Sequence, residues 1–150
     1  MREILPFLIQ GTLMGVDEFY CHRHRQLGRW ERIGHPLDTA VFLACLAWLL
    51  GIPPGEGTLS VYMGLSVSSC LMVSKDEWEH RTRCTGFENW LHALLFMIHP
   101  VVLIWAGYLW WTGAERFLAV VGTAAVATGL FFVYQVLYWN LWRYDQQRVL

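Results

Sequence analysis

Five apolar segments dominate this sequence and constrain its fold more than any other feature. They lie near residues 4–16, 37–51, 58–74, 90–111 and 117–142. Hydrophobic residues make up 55% of the chain and charged residues only 15%, which is far more apolar than an ordinary soluble domain. Because a helix needs roughly 20 apolar residues to cross a bilayer, we predict an all-α integral membrane bundle with about five transmembrane helices.

The breaks between these segments predict how the helices connect. Residues 51–57 contain two prolines and three glycines and cannot continue a helix, and Thr112-Gly113 interrupts the pattern again. Connections this short place successive helices antiparallel. Gly28 and Gly86 break the other two connections, and Thr85 is predicted to cap the fourth helix.

Positive charge is strongly biased to one side of the predicted bundle. If the helices alternate in direction, only Arg2 and Arg116 lie on one side, and the other side carries Arg23, Arg25, Arg29, Arg32, Lys75, Arg81, Arg83, Arg143 and Arg148. Since cytoplasmic loops are enriched in Lys and Arg, we predict a protein of the inner (cytoplasmic) membrane with its amino terminus outside and its carboxyl terminus in the cytoplasm. The net charge of -1 gives no indication of nucleic-acid binding.

One order of acidic residues and histidines occurs twice. The shared order is Asp-Glu, an aromatic residue, His, Gly, Glu, three residues and His. The first copy comprises Asp17, Glu18, His22, Gly28, Glu31 and His35. The second comprises Asp76, Glu77, His80, Gly86, Glu88 and His92. Repetition of the order predicts a duplicated helical hairpin within a single transmembrane domain. Repeat A covers about 1–51, repeat B about 58–111, and an additional helix about 115–146.

The spacing in each copy indicates which side chains can meet. A carboxylate lies four residues before a histidine in Glu18–His22, Glu31–His35, Asp76–His80 and Glu88–His92, so each pair shares a helix face. The first apolar run is only about 13 residues, or roughly 20 Å, and must continue into its motif to approach the width of a bilayer. We expect this segment to be retained as a helix, since no small-residue cleavage site precedes Asp17.

Carboxylates and imidazoles together suit iron or manganese, and bridging carboxylates can hold two ions. The predicted ligand set is Asp17, Glu18, His22, Glu31, His35, Asp76, Glu77, His80, Glu88 and His92. Either acid of each Asp-Glu pair is an equally good ligand, and its neighbour would bind arginine or orient a histidine. Zinc is an alternative metal, although the four cysteines form no Cys-x-x-Cys pair typical of structural zinc sites. The alternatives to a metal are a hydrogen-bonded or ion-paired network and an exposed polar surface.

This ligand set resembles that of the di-iron carboxylate, ferritin-like four-helix bundles, in which two helices carry a single Glu and two carry Glu-x-x-His. The resemblance covers roughly residues 1–111 and implies two iron ions between the first four helices. The sequence departs from the family pattern because most of its pairs are Glu-x-x-x-His, and only Glu77–His80 has the family spacing. The chain as a whole also resembles small bacterial multi-pass membrane proteins.

Three further residues are candidate catalytic groups. His99 lies about two turns beyond His92 on a similar face, where it is a further ligand, a donor to a ligand, a proton relay or a hydrogen-bonded core histidine. Cys84 lies four residues before Glu88 and is either a thiolate near the site or a buried inert thiol. Asp38 lies within an apolar segment, where an ionisable group is a functional candidate. Most tryptophans, including Trp105, Trp110, Trp111, Trp139 and Trp142, are predicted to form interfacial belts.

The favoured function is a di-iron oxidoreductase, of oxidase or hydroxylase type, acting on a lipid-soluble substrate such as a quinone, an isoprenoid or an acyl chain. Its expected partners are membrane lipid or that small molecule, an electron donor and a second copy of the chain. The small residues at 122–129 are expected to allow close helix packing, either within the chain or between two copies. Metal transport or sensing, haem binding through His92 or His99, and a metal-free role are the alternatives. With six histidines and no His-x-x-His-His or His-Glu-x-x-His sequence, the chain matches neither membrane desaturases nor zinc proteases.

Overall fold

The computed structural model describes residues 2–23, 27–74 and 84–142, and over these residues the chain is entirely helical. A short 3-10 turn (Arg2–Ile4) leads into α1 (Leu5–Val16), and the chain continues through α2 (Arg29–Gly51), α3 (Glu56–Ser74), α4 (Gly86–Trp111) and α5 (Phe117–Leu137). Helices α1 and α5 are extended by π-helical segments at Asp17–His22 and Tyr138–Trp142. The predicted all-α class is therefore confirmed.

Four of the described helices, α2, α3, α4 and α5 with its extension, are long and apolar enough to cross a membrane. Large apolar side chains such as Ile104 and Leu130 point outward from them, as lipid-facing residues do. Helix α1 has 12 residues, about 18 Å, which is too short by itself. It continues directly into its acidic motif, as the shortness of its apolar run predicted. That α1 forms a fifth membrane span remains a prediction.

The helix ends follow local sequence chemistry. Helix α2 ends at Gly51, before Pro53 and Pro54, which lack the backbone N–H that a helix needs. The N–H of Glu88 donates to Thr85 Oγ1 over 3.2 Å, so Thr85 caps α4 as predicted. After α4, Gly113 has a φ of 62°, in the left-handed region that glycine reaches without steric cost.

Helix packing makes α5 an integral part of the bundle. Helix α1 packs on α4, and α2 packs on both α3 and α5. The buried apolar core joins four helices and comprises Phe42, Cys45, Leu46, Leu49, Tyr62, Val102, Leu103, Ala106, Trp110 and Val121. Helix α5, which follows the predicted repeats, thus packs with them in one structure. Its contacts with α2 continue into its π-helical extension.

Tyr62 and Gly107 bring α3 and α4 into close contact. The Tyr62 hydroxyl donates to the Leu103 carbonyl oxygen over 2.6 Å. A Cβ at position 107 would lie 2.7 Å from Tyr62 Cε1, closer than real Cβ contacts allow, so the ring fits only because residue 107 is glycine. This contact lies in the closely packed part of the bundle.

Pro36 leaves a backbone acceptor open inside α2, and α5 satisfies it. Proline has no N–H to donate to the carbonyl of residue 32, four positions earlier. The side chain of Asn140 donates to the Arg32 carbonyl oxygen over 3.3 Å. This hydrogen bond fixes the end of α5 beside the first turns of α2, next to the acidic and histidine residues.

Candidate metal centre

The π-helical segment at the end of α1 presents two acids to one histidine. A π-helix has i to i+5 periodicity, so Asp17 and His22 approach the same face. His22 Nε2 lies 3.5 Å from Asp17 Oδ2, and His22 Nδ1 lies 3.7 Å from Glu18 Oε2. The predicted four-residue spacing of Glu18 and His22 brings that pair together, and the wider turn adds Asp17.

Helix α4 supplies the opposite side of the cluster from its first two turns. Glu88 and His92 lie four residues apart and share a helix face. Glu88 Oε1 is 3.8 Å from His22 Nε2. His92 Nε2 donates to Asp17 Oδ1 over 3.0 Å, joining residues 75 positions apart in the sequence. The first and second copies of the motif therefore meet in space.

Asp17, His22, Glu88 and His92 form a group whose ligand atoms lie within 4.8 Å of one another. Bonds of about 2.0–2.2 Å place neighbouring ligands of one ion roughly 3–3.5 Å apart, close to the observed separations. Asp17 is 7%, His22 1% and Glu88 3% exposed. These two carboxylates and two imidazoles, of which only His92 is partly exposed, could hold a metal ion.

Four carboxylates concentrate negative charge in this part of the protein. Glu18 and Glu31 are buried beside the group, as are Asp17 and Glu88 within it. Burying a charged group costs several kcal/mol unless a counter-charge or hydrogen bonds compensate. A divalent cation between these residues would provide compensation at short range.

The first copy's Glu31 and His35 lie next to the four-residue group but outside it. Glu31 is fully buried, and its Oε2 accepts a hydrogen bond of 3.0 Å from the Gly28 N–H at the start of α2. This is a capping interaction, which the Gly-x-x-Glu spacing signals in the sequence. The His35 ring lies 4.6 Å from the His22 ring between centroids. Both residues remain candidate ligands of a second ion.

Trp139 holds Glu18 in place, a role that the sequence did not reveal. Its Nε1 donates to Glu18 Oε1 over 2.6 Å, and its side chain is only 3% exposed. Trp110 is equally buried and donates to the Ile52 carbonyl oxygen. Trp139 and Trp110 therefore point into the protein, where each has an acceptor within reach, whereas Trp111 and Trp142 are exposed. The interfacial belt remains a prediction.

A cavity of about 490 Å³ adjoins the acidic and histidine residues and is open at one side, where Phe96 is 52% and Met97 68% exposed. Its polar end includes Asp17, Glu18, His22, His35 and His92. Towards the other end the lining is mainly apolar, with Phe42, Phe96, Met97, Leu95 and Phe131. Asp38 also lines this cavity, next to Thr39, whose hydroxyl donates to Gln135 Oε1 over 2.7 Å. The volume is in the range of small-molecule sites.

His99 is a buried histidine with partners on both ring nitrogens. Gln10 Nε2 donates to its Nδ1 over 3.2 Å, so its Nε2 carries the proton and donates to Ser69 Oγ over 2.9 Å. It lines the cavity about 10 Å along α4 from His92. Of the roles that the sequence left open for His99, that of a hydrogen-bonded core histidine matches these contacts. Haem ligation is disfavoured because neither ring nitrogen of His99 is left to bind iron.

The remaining predicted residues are separate from the group or lie outside the described structure. Cys84 is half-buried at the residue before the α4 cap and does not belong to the four-residue group. Asp76, Glu77 and His80 lie outside the described residues. The part of the ligand set that the structure brings together thus comes from α1 and α4, with α2 adjacent.

Comparison with known proteins gives no relative for this chain. No protein-family model matches it, and neither a curated protein nor a solved structure is significantly similar to it. The resemblance to di-iron carboxylate proteins therefore remains one of motif and ligand chemistry.

Proposed function

We propose that this protein is a membrane-embedded metalloprotein, an oxidoreductase that acts on a lipid-soluble substrate. The observation that carries the proposal is the continuity between the cluster of Asp17, His22, Glu88 and His92 and a largely apolar cavity inside the bundle. A redox metal at the polar end would adjoin a compartment that admits an apolar molecule.

Iron is the metal that best suits this ligand chemistry. Carboxylate and imidazole ligands accommodate iron, manganese and zinc; zinc has no redox chemistry, and of the two redox metals ferrous iron reacts more readily with oxygen. Glu18, Glu31 and His35 are buried or half-buried beside the first group, and we propose that they help to hold a second ion. Asp76, Glu77 and His80 complete the proposed two-ion ligand set.

The chain's own residues have distinct roles in this proposal. Asp17 and Glu88 supply negative charge from different helices, so metal binding would hold α1 against α4. Trp139 orients Glu18, which in turn faces His22 Nδ1. Partners of this kind keep a ligand histidine in one orientation and raise its basicity.

We further propose that the cluster faces the cytoplasm of a bacterial inner membrane. The end of α1 and the start of α4 meet at the cluster, and the start of α2 and the end of α5 lie beside it. Arg23, Arg29 and Arg32 are close in sequence to these helix ends. Positively charged residues at the end of α1 and the start of α2 support a cytoplasmic location.

Metal transport is a second candidate, favoured by the polar side chains within the spans. Gln10, Ser69 and His99 form one hydrogen-bonded set, and Thr39 with Gln135 forms another. Polar groups inside membrane helices often mark the path of an ion or proton. Oxidoreductase activity and transport make different predictions for the purified protein.

The test uses the full chain purified in detergent and loaded with ferrous iron under anaerobic conditions. On addition of oxygen and a decyl-substituted quinol, we expect oxygen uptake, since oxidation of two quinols to quinones releases the four electrons and four protons that reduce oxygen to two waters. Glu88→Ala should abolish the uptake, and Glu115→Ala, at an exposed acid in the α4–α5 connection, should retain it.

The same preparation in liposomes containing an iron-sensitive dye tests the alternative. Entry of ferrous iron without quinol-dependent oxygen uptake would favour transport and contradict the oxidoreductase proposal. Oxygen uptake that is unchanged by Glu88→Ala would also contradict it, because the reaction would then not depend on the cluster.

A further inference from the structure

Gln10 carries an open hydrogen-bond acceptor on a side chain that lines the cavity. It is 5% exposed, and its Nε2 faces His99 Nδ1 at 3.2 Å and Met14 Sδ at 3.8 Å. Among the residues that the structure describes, none donates a hydrogen bond to its Oε1, which is itself buried. A buried acceptor without a partner costs roughly 1–3 kcal/mol, so a ligand that donates to this oxygen gains binding energy.

The surroundings fix the direction of this amide. His99 accepts from Gln10 and donates to Ser69, so one hydrogen-bonded chain links α1, α4 and α3. The Phe42 ring lies 5.0 Å from the His99 ring and closes one side. Because Gln10 Nε2 faces His99 Nδ1 and Met14 Sδ, Oε1 is the atom of this amide that has no hydrogen-bond partner among the described residues.

We propose that the cavity binds a lipid-soluble molecule bearing a hydroxyl group, which donates its hydrogen bond to Gln10 Oε1. The apolar lining of Phe96, Met97 and Phe131 receives the remainder of the molecule. A hydroxyl fits because it is a small neutral donor that can be buried beside the neutral amide oxygen of Gln10 and an apolar lining. This inference rests on the proposed function, in which the same molecule is the substrate, and it names the substrate as an alcohol, phenol or quinol.

The test compares two photoreactive probes that differ only in hydrogen-bond donation. One is a fatty alcohol with a diazirine in its chain, and the other is its methyl ether. Both are crosslinked to the full-length protein in lipid bicelles, and labelled peptides are quantified by mass spectrometry. Labelling of residues 93–99 is normalised to labelling around lipid-facing Ile104, which corrects for partitioning of each probe into the bicelle.

We expect the alcohol to label residues 93–99 about 5-fold more than the ether, the ratio that corresponds to one hydrogen bond of about 1 kcal/mol. Gln10→Leu should remove the preference. Gln135→Leu is the matched control, since Gln135 lines the same cavity but already accepts from Thr39, and it should retain the preference. Equal labelling by both probes in the wild-type protein, or a preference that survives in Gln10→Leu, would overturn the proposal.

Metal content measured on the same samples separates this inference from the proposed function. Wild-type protein that contains iron and labels equally with both probes contradicts hydroxyl recognition alone. Protein that binds no iron but prefers the alcohol contradicts the redox role and supports recognition by Gln10. Gln10→Leu should retain its iron, because Gln10 lies outside the metal-binding group.

Discussion

The two ends of the bundle use the same helices in different ways. At one end Leu46 and Leu49 of α2 pack against Tyr62 of α3 and Trp110 of α4, all almost fully buried. At the other end α2 and α4 instead present buried Glu31 and Glu88. Close packing stabilises the first end, whereas charge compensation and hydrogen bonds must stabilise the second. Stability and metal binding should therefore respond to different substitutions.

The largest effect expected on the packed end comes from Leu46→Ala. Removing this fully buried side chain leaves a cavity between α2, α3 and α4. We expect the free energy of unfolding in detergent to fall by about 2 kcal/mol, the lower end of the usual range, because apolar tails rather than water receive the unfolded side chain. Chemical denaturation followed by tryptophan fluorescence measures this change.

The control for Leu46→Ala is Leu130→Ala, at an outward-facing position that is 69% exposed. It should change the free energy of unfolding by less than about 0.5 kcal/mol. Both variants should keep the wild-type metal content. Loss of metal in Leu46→Ala while the protein remains folded would show that the two ends are not separable.

A smaller effect is expected at the polar end from Trp139→Phe. This change keeps an aromatic ring but removes the N–H that donates to Glu18 Oε1. Because Glu18 faces His22, we expect metal affinity to fall about 10-fold, near the lower limit for loss of a partner that orients a ligand. Competition with a metal-binding dye measures the affinity.

Trp142→Phe is the matched control for Trp139→Phe, since Trp142 lies in the same π-helical segment with its side chain 69% exposed. It should leave metal affinity unchanged. If both variants bind metal as tightly as the wild-type protein, the hydrogen bond from Trp139 has no role in the metal centre.

Local sequence signals predicted much of the fold and part of the site. Apolar segments and proline or glycine breaks indicated the helices, and Thr85 and the four-residue spacings of Glu18–His22 and Glu88–His92 indicated local contacts. These features depend on residues within one or two helical turns of each other. The sequence alone can therefore specify them.

The remaining features depend on contacts between distant segments. Trp139 reaches Glu18 across 121 positions, and Gln10 reaches His99 across 89. The spacing of residues along a single helix predicts neither of these contacts between helices. The π-helical turn that brings Asp17 beside His22 also has no signal in the apolar pattern, although a polar Gln10 inside an apolar segment is itself a sign of a buried role.

The central claim is that Asp17, His22, Glu88 and His92 bind a metal ion. Elemental mass spectrometry on protein purified without added metal or a nickel resin tests it most directly, with His92→Ala compared with His99→Ala on the same helix. We predict iron in the wild-type protein, its loss in His92→Ala and its retention in His99→Ala, because His99 is a buried histidine outside the group. A wild-type protein without metal, or equal metal content in both variants, would contradict the claim.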